Sequence, residues 1–202
     1  LNGASNLGIY STLKFNELAD FGSNENIKIV AEIKLLNTWQ RNVRRYIVKK
    51  DGKMQIGTAD DTLGTYRYTD NDRWIIENRD MGSMNELVDF VKFAIDPKGA
   101  NCKADRYILV IWGHGEGWKG LSTDENPPGF AGKTEISLND LKAGLKKIIA
   151  PDILNQKLNI ICFDNCLMSQ SEVAYQVRDL AKYVIASEEE NDYVAFQYGK
   201  VL

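Results

Sequence analysis

Residues 108–115 read Ile-Leu-Val-Ile-Trp-Gly-His-Gly, and this stretch decides the fold. A short apolar run bounded by glycine is typical of a fully buried strand. The run leads into His114, which is the single histidine of the chain. A second apolar run, Leu158–Phe163, leads in the same way into Asp-Asn-Cys at 164–166. The pattern predicts two buried strands, each of which delivers a reactive side chain at its carboxyl end.

The rest of the chain alternates between helical and extended periodicity. Ser83 and Glu86 have the spacing of a capping box, and Ser137 is a second helix N-cap. Strands that alternate with helices predict an α/β fold with a mostly parallel sheet and helices on both faces. The other predicted elements are a helix over Leu7–Asp20, strands over Ile27–Ile33 and Arg44–Lys50, helices after Ser83 and Ser137, a helix over Ser169–Ala181 and a strand over Tyr183–Ser187.

Two connections are longer than those of most compact domains. Residues 51–80 are polar and rich in Gly and Asp, which predicts a hairpin or a loop insertion. Residues 113–135 hold many glycines and two prolines, which predicts a functional or mobile loop.

Composition narrows the class of protein. The 202 residues are enough for one domain with a real core, and we treat residues 1–202 as that domain. A net charge of −3 gives no reason to expect nucleic acid or an anionic membrane as a partner. No stretch approaches the ~20 apolar residues of a membrane span. The sequence opens at Leu1 with no signal peptide, so we expect a fragment or a processed form.

The three cysteines, Cys102, Cys162 and Cys166, are odd in number and unevenly spaced. This is neither a disulfide framework nor a zinc pattern, and with a single histidine no metal site is predicted. Cys162 lies within the second strand and fits a buried, inert thiol. Cys102 follows a Gly-Ala-Asn turn and fits an incidental surface thiol.

His114 and Cys166 are the candidate catalytic pair. If the two apolar strands are neighbours, their ends lie ~5 Å apart, so an imidazole and a thiol can meet. A nearby imidazole or a helix N-terminus raises the fraction of nucleophilic thiolate, and the sequence predicts both for Cys166. The N–H groups of Gly115 and Cys166 are candidates for an oxyanion hole. The ordinary alternatives are a satisfied histidine in a turn and a small buried hydrophobe.

Carboxylates follow the same strands. Asp164 lies two residues before Cys166, and in an extended chain such residues share a face. Its carboxylate can therefore serve as the counter-charge for a basic substrate side chain, or it can cap a helix or turn. Glu188 begins an acidic run after the last predicted strand. That run either lines the same pocket or is a solvated turn.

Three motifs together resemble the clostripain family of cysteine peptidases, in the wider group of caspases, gingipains and legumains. They are Trp-Gly-His-Gly at 112–115, Phe-Asp-Asn-Cys-Leu-Met-Ser at 163–169 and Val-Ile-Ala-Ser-Glu-Glu at 184–189. Cys166 follows His114 by 52 residues, and caspases have a similar spacing. The resemblance runs from about Asn6 to Glu190. It departs from the family in lacking an apolar first strand before Asn6 and a continuation after Leu202.

The resemblance implies a three-layer caspase-like fold and a His114–Cys166 dyad that cleaves proteins or peptides after Arg or Lys. It implies that Asp164, together with Ser187 and Glu188, forms the S1 pocket. Because some relatives cut themselves after the histidine, Lys133 is the preferred self-cleavage site. No cofactor is required for the chemistry, although some relatives use calcium. A secreted or cell-surface bacterial protein is implied, as is an association with a missing or cleaved chain segment.

Two other classes of function stay open beside a peptidase. A non-catalytic member would keep the same fold as a binding or scaffold domain, although neither motif of the dyad is degraded. A generic α/β ligand-binding domain would require a phosphate loop. The chain has no G-x-G-x-x-G after a strand and no P-loop lysine motif.

Overall fold

A computed structural model describes residues 1–35, 42–54, 73–192 and 196–201. Within these ranges no helix is both long and apolar enough to cross a membrane. The strands are β1 (Asn2–Gly3), β2 (Val30–Leu35), β3 (Val43–Ile47), β4 (Arg73–Ile76), β5 (Ile108–Trp112), β6 (Leu121–Asp124), β7 (Thr134–Ile136), β8 (Leu158–Asp164) and β9 (Ala181–Ile185). The helices are α1 (Gly8–Phe21), α2 (Met84–Ile95), α3 (Leu138–Ile149), α4 (Ser171–Val177) and α5 (Tyr198–Val201), with a 3-10 turn over Gly117–Lys119.

The sheet that positions the site contains β5, β8 and β9, in that order and all parallel. Trp112 at the end of β5 is paired with Asp164 at the end of β8. The two apolar runs of the sequence are therefore adjacent strands with matched carboxyl ends, as predicted. His114 and Cys166 each follow that last pair by two residues.

A second sheet has the order β1-β2-β3-β4. β1 runs parallel to β2, whereas the β2–β3 and β3–β4 pairs are antiparallel. α1 covers this sheet, and the ring of Phe15 meets that of Tyr46 edge-on at 5.0 Å between centroids. β4 lies within the predicted insertion over residues 51–80 and pairs with β3, and residues 55–72 of that insertion lie outside the described residues.

Helices lie on both faces of the structure, which confirms the predicted α/β class. On one face of β8, Ile161 and Phe163 are fully buried against residues of α2, α3 and α4. On the opposite face, Asp164 meets Tyr198 of α5. The periodicity of α3 places Leu141, Leu145 and Ile148 toward the sheet. The main hydrophobic core thus lies directly beneath the two strands that carry the candidate dyad.

The first turn of α2 differs from the predicted capping box. Ser83 is the N-cap, and its hydroxyl accepts a hydrogen bond from the N–H of Asn85 at 3.3 Å. Glu86 does not complete the box, because its carboxylate accepts a hydrogen bond from the buried Arg45 at 2.7 Å. The guanidinium of Arg45 also donates to Glu32 at 2.7 Å. Glu86 therefore belongs to a buried network of charged side chains and not to the cap of α2.

Two other predictions need correction in this region of the chain. The predicted loop over 113–135 contains a two-stranded hairpin, in which β6 and β7 are antiparallel. The helix predicted over Ser169–Ala181 is shorter, because residues 165–170 form a turn in which Leu167 has a φ of 62°. β9 accordingly begins at Ala181 rather than at Tyr183.

Candidate active site

The loop that carries His114 is fastened to β6. The carbonyl of His114 accepts a hydrogen bond from the N–H of Ser122 at 2.8 Å, and Gly115 forms a bridge with Leu121. The imidazole is partly exposed, and its Nε2 lies 2.7 Å from Oδ1 of Asn6. The histidine therefore has a fixed backbone and a polar partner for its ring.

Cys166 lies in the turn that follows β8. The N–H of Asn191 donates a hydrogen bond to its Sγ at 3.3 Å, and the thiol is partly exposed. The turn is paired with the segment after β9, since the N–H of Leu167 donates to Glu189 and that of Ser169 donates to Ser187. α4 begins only at Ser171, so the prediction of a helix N-terminus beside the sulfur is wrong. The backbone amide of Asn191 is the donor found there instead.

The two loops are in direct contact. The side-chain amide of Asn165, which is 1% exposed, donates to the carbonyls of Gly113 at 2.9 Å and His114 at 3.2 Å. A Cβ added at Gly115 would lie 2.5 Å from the carbonyl oxygen of Cys166. Only glycine permits this approach of backbone to backbone. The geometry places the histidine and cysteine loops against each other at the carboxyl edge of the parallel sheet, which is where ligands bind in open α/β sheets.

Asp164 occupies a closed environment. Its side chain is 4% exposed, and the hydroxyl of Tyr198 donates to its Oδ2 at 2.7 Å. Burial raises the pKa of Asp164, an effect opposed by the Tyr198 hydrogen bond and by the charge of Lys14. Lys14 also lies 5.0 Å from the centroid of the Tyr198 ring. The carboxylate therefore faces α1 and α5, with a hydroxyl and an ammonium group nearby.

The remaining cysteines differ from Cys166 in their surroundings. Cys162 is buried, and burial together with the charge of Asp164 raises its pKa to about 12. That thiol carries almost no thiolate at neutral pH. Cys102 is half-buried rather than a surface thiol, and burial raises its pKa as well. Its S–H group contacts the carbonyl of Ala100 at 3.2 Å.

The other predicted site residues lie beside the cysteine turn or on the nearby hairpin. Ser187 accepts a backbone hydrogen bond from Ser169, and its hydroxyl accepts one from the N–H of Glu189. Glu188 is exposed. Lys133 precedes β7 and is 57% exposed, with its ammonium 3.8 Å from Glu116. Their contributions to an S1 pocket and to self-cleavage stay predictions.

No calcium site is evident in the part of the chain that the structure describes. There, no three or more His, Cys, Asp or Glu side chains are grouped so that they could hold a metal ion. No step below involves calcium.

Comparison with known proteins decides the family. The peptidase family C11, described as the clostripain family, matches residues 15–202. The chain belongs to the clostripain family. The family resemblance seen in the three motifs is thereby confirmed. No curated protein sequence matches this clostripain-family chain.

Solved structures share the fold. A secreted C11 cysteine protease from Bacteroides thetaiotaomicron, in complex with an irreversible peptide inhibitor, has a TM-score of 0.67 and 18% identity over 98% of this chain. A second structure of a secreted C11 protease from that organism, iotapain, has a TM-score of 0.61 and 18% identity over 96% of the chain. An inactive zymogen C11 protease from Parabacteroides distasonis has a TM-score of 0.60 and 22% identity over 98%.

The clostripain-family chain spans only about half the length of these structures, namely 50%, 52% and 49% in the same order. The similarity confirms the caspase-like α/β fold. At such identities it carries no residue roles, which therefore depend on the geometry of this chain.

Four residues at this edge of the clostripain-family domain had no role in the sequence prediction. Asn6 contacts the imidazole, Asn165 joins the two loops, Asn191 donates to the sulfur and Tyr198 donates to Asp164. Asn165 had a sequence signal, because a polar residue between Asp164 and Cys166 at a strand end must find hydrogen-bond partners when buried. The other three come from distant segments and carry no local signal.

Proposed function

We propose that this domain is the catalytic part of a cysteine endopeptidase that cleaves proteins or peptides after Arg or Lys, with His114 and Cys166 as its dyad. The contact between the histidine and cysteine loops is the observation that carries the proposal. A base and a nucleophile presented by adjacent strand ends form the arrangement that covalent catalysis requires.

The proposed reaction begins with transfer of the Cys166 proton to the imidazole of His114. The thiolate then adds to the carbonyl carbon of the scissile peptide, which forms a C–S bond and a tetrahedral oxyanion. The N–H groups of Gly115 and Cys166 are the proposed donors to that oxyanion. Collapse breaks the C–N bond, and the imidazolium protonates the departing amine. Water, deprotonated by His114, then hydrolyses the thioester and restores the thiol.

The surroundings of the sulfur support its role as nucleophile. The backbone of Asn191 holds the sulfur in place, because its N–H donates to Sγ at 3.3 Å and its carbonyl oxygen lies 3.8 Å from Sγ. Cys166 is partly exposed, so a substrate can reach it, whereas Cys162 is buried. Of the cysteines, Cys166 alone combines access with proximity to the histidine loop.

We assign the preference for Arg or Lys to Asp164, with Ser187 and Glu188 at the wall of the pocket. Asp164 already has the hydroxyl of Tyr198 as a hydrogen-bond donor and the ammonium of Lys14 nearby. A buried carboxylate of this kind is stabilised by positive charge. Binding of a basic substrate side chain at Asp164 requires the Tyr198 hydroxyl to give way, so we expect α5 to move when substrate binds.

The mechanism is tested with Cys166→Ala and Arg- and Lys-based fluorogenic peptides. Hydrolysis should disappear in this variant, because the nucleophile is absent. Cys162→Ala and Cys102→Ala are matched controls that remove a thiol elsewhere and should retain turnover. Hydrolysis that survives in Cys166→Ala would eliminate the mechanism. A folded wild-type protein that cleaves no peptide would favour the scaffold function.

Specificity is tested separately with Asp164→Asn, which keeps the shape of the side chain and removes its charge. The ratio of kcat/KM for an Arg substrate to that for a matched Asn substrate should fall by at least about 10-fold, or about 1.4 kcal/mol of discrimination. Asp152→Asn, at an exposed position, is the charge-matched control. An unchanged ratio would refute the role of Asp164 and leave the dyad intact.

Processing and location form a coarser part of the proposal. A solved C11 relative is described as secreted, and we propose that this protein is secreted or lies at the cell surface. Its calcium dependence is to be measured directly. Lys133 is exposed between β6 and β7, so we propose it as the self-cleavage site and as the point from which a cleaved segment stays associated. Mass spectrometry should find a new amino terminus at Thr134 in wild type and none in Lys133→Gln. An intact bond in fully active enzyme would refute the site.

A further inference from the structure

We infer that Asn6 is a positioning residue that holds the imidazole of His114 and fixes which of its nitrogens carries the proton. The inference rests on the proposed function of the dyad. The distance between Oδ1 of Asn6 and Nε2 of His114 is 2.7 Å. An amide oxygen only accepts, so Nε2–H is the donor in this pair.

The consequence for the dyad follows from the two nitrogens of the ring. A neutral imidazole carries its proton on one nitrogen and a lone pair on the other. With the proton held at Nε2 by Asn6, the lone pair is at Nδ1, and Nδ1 becomes the atom that receives the thiol proton. The hydrogen bond made by one nitrogen thus selects the function of the other.

Asn6 is exposed, and an exposed hydrogen bond by itself adds little to stability. Its backbone, however, continues from a buried segment. Ala4 and Ser5 are 0% and 1% exposed, and the carbonyl of Ser5 accepts a hydrogen bond from the N–H of Gly8 at the start of α1. The hydroxyl of Ser5 accepts a further bond from Leu7. The turn that presents Asn6 is therefore fixed on both sides.

Strand β6 contacts both the segment before Asn6 and the loop that carries His114. The side-chain amide of Asn2 donates to the hydroxyl of Ser122 and to the carbonyl of Thr123, both on β6. The N–H of Ser122 donates to the carbonyl of His114. β6 is therefore hydrogen-bonded both to Asn2, four residues before Asn6, and to the backbone of His114. Such preorganisation makes a short, exposed hydrogen bond effective in catalysis.

A neutral amide also sets the range of pH in which the dyad works. A carboxylate in its place would attract the imidazolium and hold it charged to higher pH. Asn6 orients the ring without adding that charge. Replacement by Asp should therefore restore the orientation and shift the working range, whereas a replacement by Ala should lose the orientation.

The first test compares Asn6→Ala, Asn6→Asp and the exposed control Asn139→Ala on a peptide amide substrate. We expect kcat to fall about 10- to 100-fold in Asn6→Ala, part of the 10²–10⁴ that general acid–base catalysis supplies. KM should change little, since substrate binding is not removed. Asn6→Asp should recover much of kcat and move the alkaline limb of the pH profile upward. A kcat and a pH profile like those of wild type in folded Asn6→Ala would overturn the inference.

The second test does not need peptidase activity. The rate at which iodoacetamide alkylates Cys166 is followed against pH by peptide mass spectrometry, because only the thiolate reacts. Asn6→Ala should move the midpoint of that curve and Asn139→Ala should not. A shifted midpoint in a protein that cleaves no peptide supports the inference and refutes the proposed function. Active enzyme in which the curve and the pH profile both stay unchanged would refute the inference and leave the proposed function standing.

Discussion

Asn165 is a single side chain that joins two loops. Its amide nitrogen donates to the carbonyls of Gly113 and His114, so the residue beside the candidate nucleophile fixes the backbone of the candidate base. At the same edge, Gly115 leaves no room for a side chain against Cys166. The relative placement of imidazole and sulfur is thus decided by one buried amide and one missing Cβ.

Asn165→Ala should lower both stability and turnover. The buried carbonyl of Gly113 loses this donor, whereas that of His114 keeps the N–H of Ser122, and the loss costs about 1–3 kcal/mol in the free energy of unfolding. Asn159→Ala is a matched control, because Asn159 accepts a hydrogen bond from the N–H of Tyr107 across the same two strands at their opposite end. Urea unfolding should show a loss in both variants, while kcat should fall in Asn165→Ala alone. Equal kcat values in the two variants would mean that the hydrogen bonds from Asn165 to the histidine loop have no part in catalysis.

At the scale of elements, the sequence predicted those helices and strands whose ends are set by interactions between residues close in sequence. α1, α2, α3, β5 and β8 lie within about two residues of their predicted ends, because periodicity and N-caps are read over one or two turns. The shorter α4 and the β6–β7 hairpin depend on contacts with the segment after β9 and with the histidine loop. No sequence window contains those contacts. Glu86 was assigned to a cap for the same reason, since its partner Arg45 is distant in sequence.

The network of Glu32, Arg45 and Glu86 joins β2, β3 and α2 and makes stability depend on pH. Burial, and then the charge of Glu86, raise the pKa of Glu32 from 4.5 to about 8. The folded state therefore binds a proton that the unfolded state releases, and the stabilisation present below pH 4.5 is lost as pH rises through 8.

Glu32→Gln should remove that loss. Relative to wild type, the variant should gain stability with rising pH by up to about 1.4 kcal/mol per pH unit. Urea unfolding across this range measures the difference, and exposed Glu25→Gln is the control. A constant difference between Glu32→Gln and wild type over the range would contradict the raised pKa.

At the scale of the molecule, one face of the parallel sheet is only partly covered. Ile108, Ile160 and Tyr183 are paired across β5, β8 and β9, and the exposed fractions of Ile108 and Tyr183 are 56% and 70%. Val110 and Ile185 continue the row two residues further along. Sequence patterning predicted the class of fold but not this uncovered face, because both faces of a parallel strand are apolar in sequence.

Ile108→Lys combined with Tyr183→Lys should reduce self-association, since contiguous exposed apolar patches promote it. Light scattering and dye binding should both decrease, and the midpoint of thermal unfolding should stay close to that of wild type. Ile161→Lys, on the fully buried face of β8, should prevent folding. If the double variant also fails to fold, the face is not open to solvent.

The bonds from Asn2 to β6 have a practical consequence for anyone who engineers this domain. A surface tether or a force probe attached at the first residues would pull on β6, the strand to which the histidine loop is hydrogen-bonded. We expect activity to fall under a force smaller than the force that unfolds the hydrophobic core. Attachment at an exposed position of α3, such as Lys146, would not apply this force to β6.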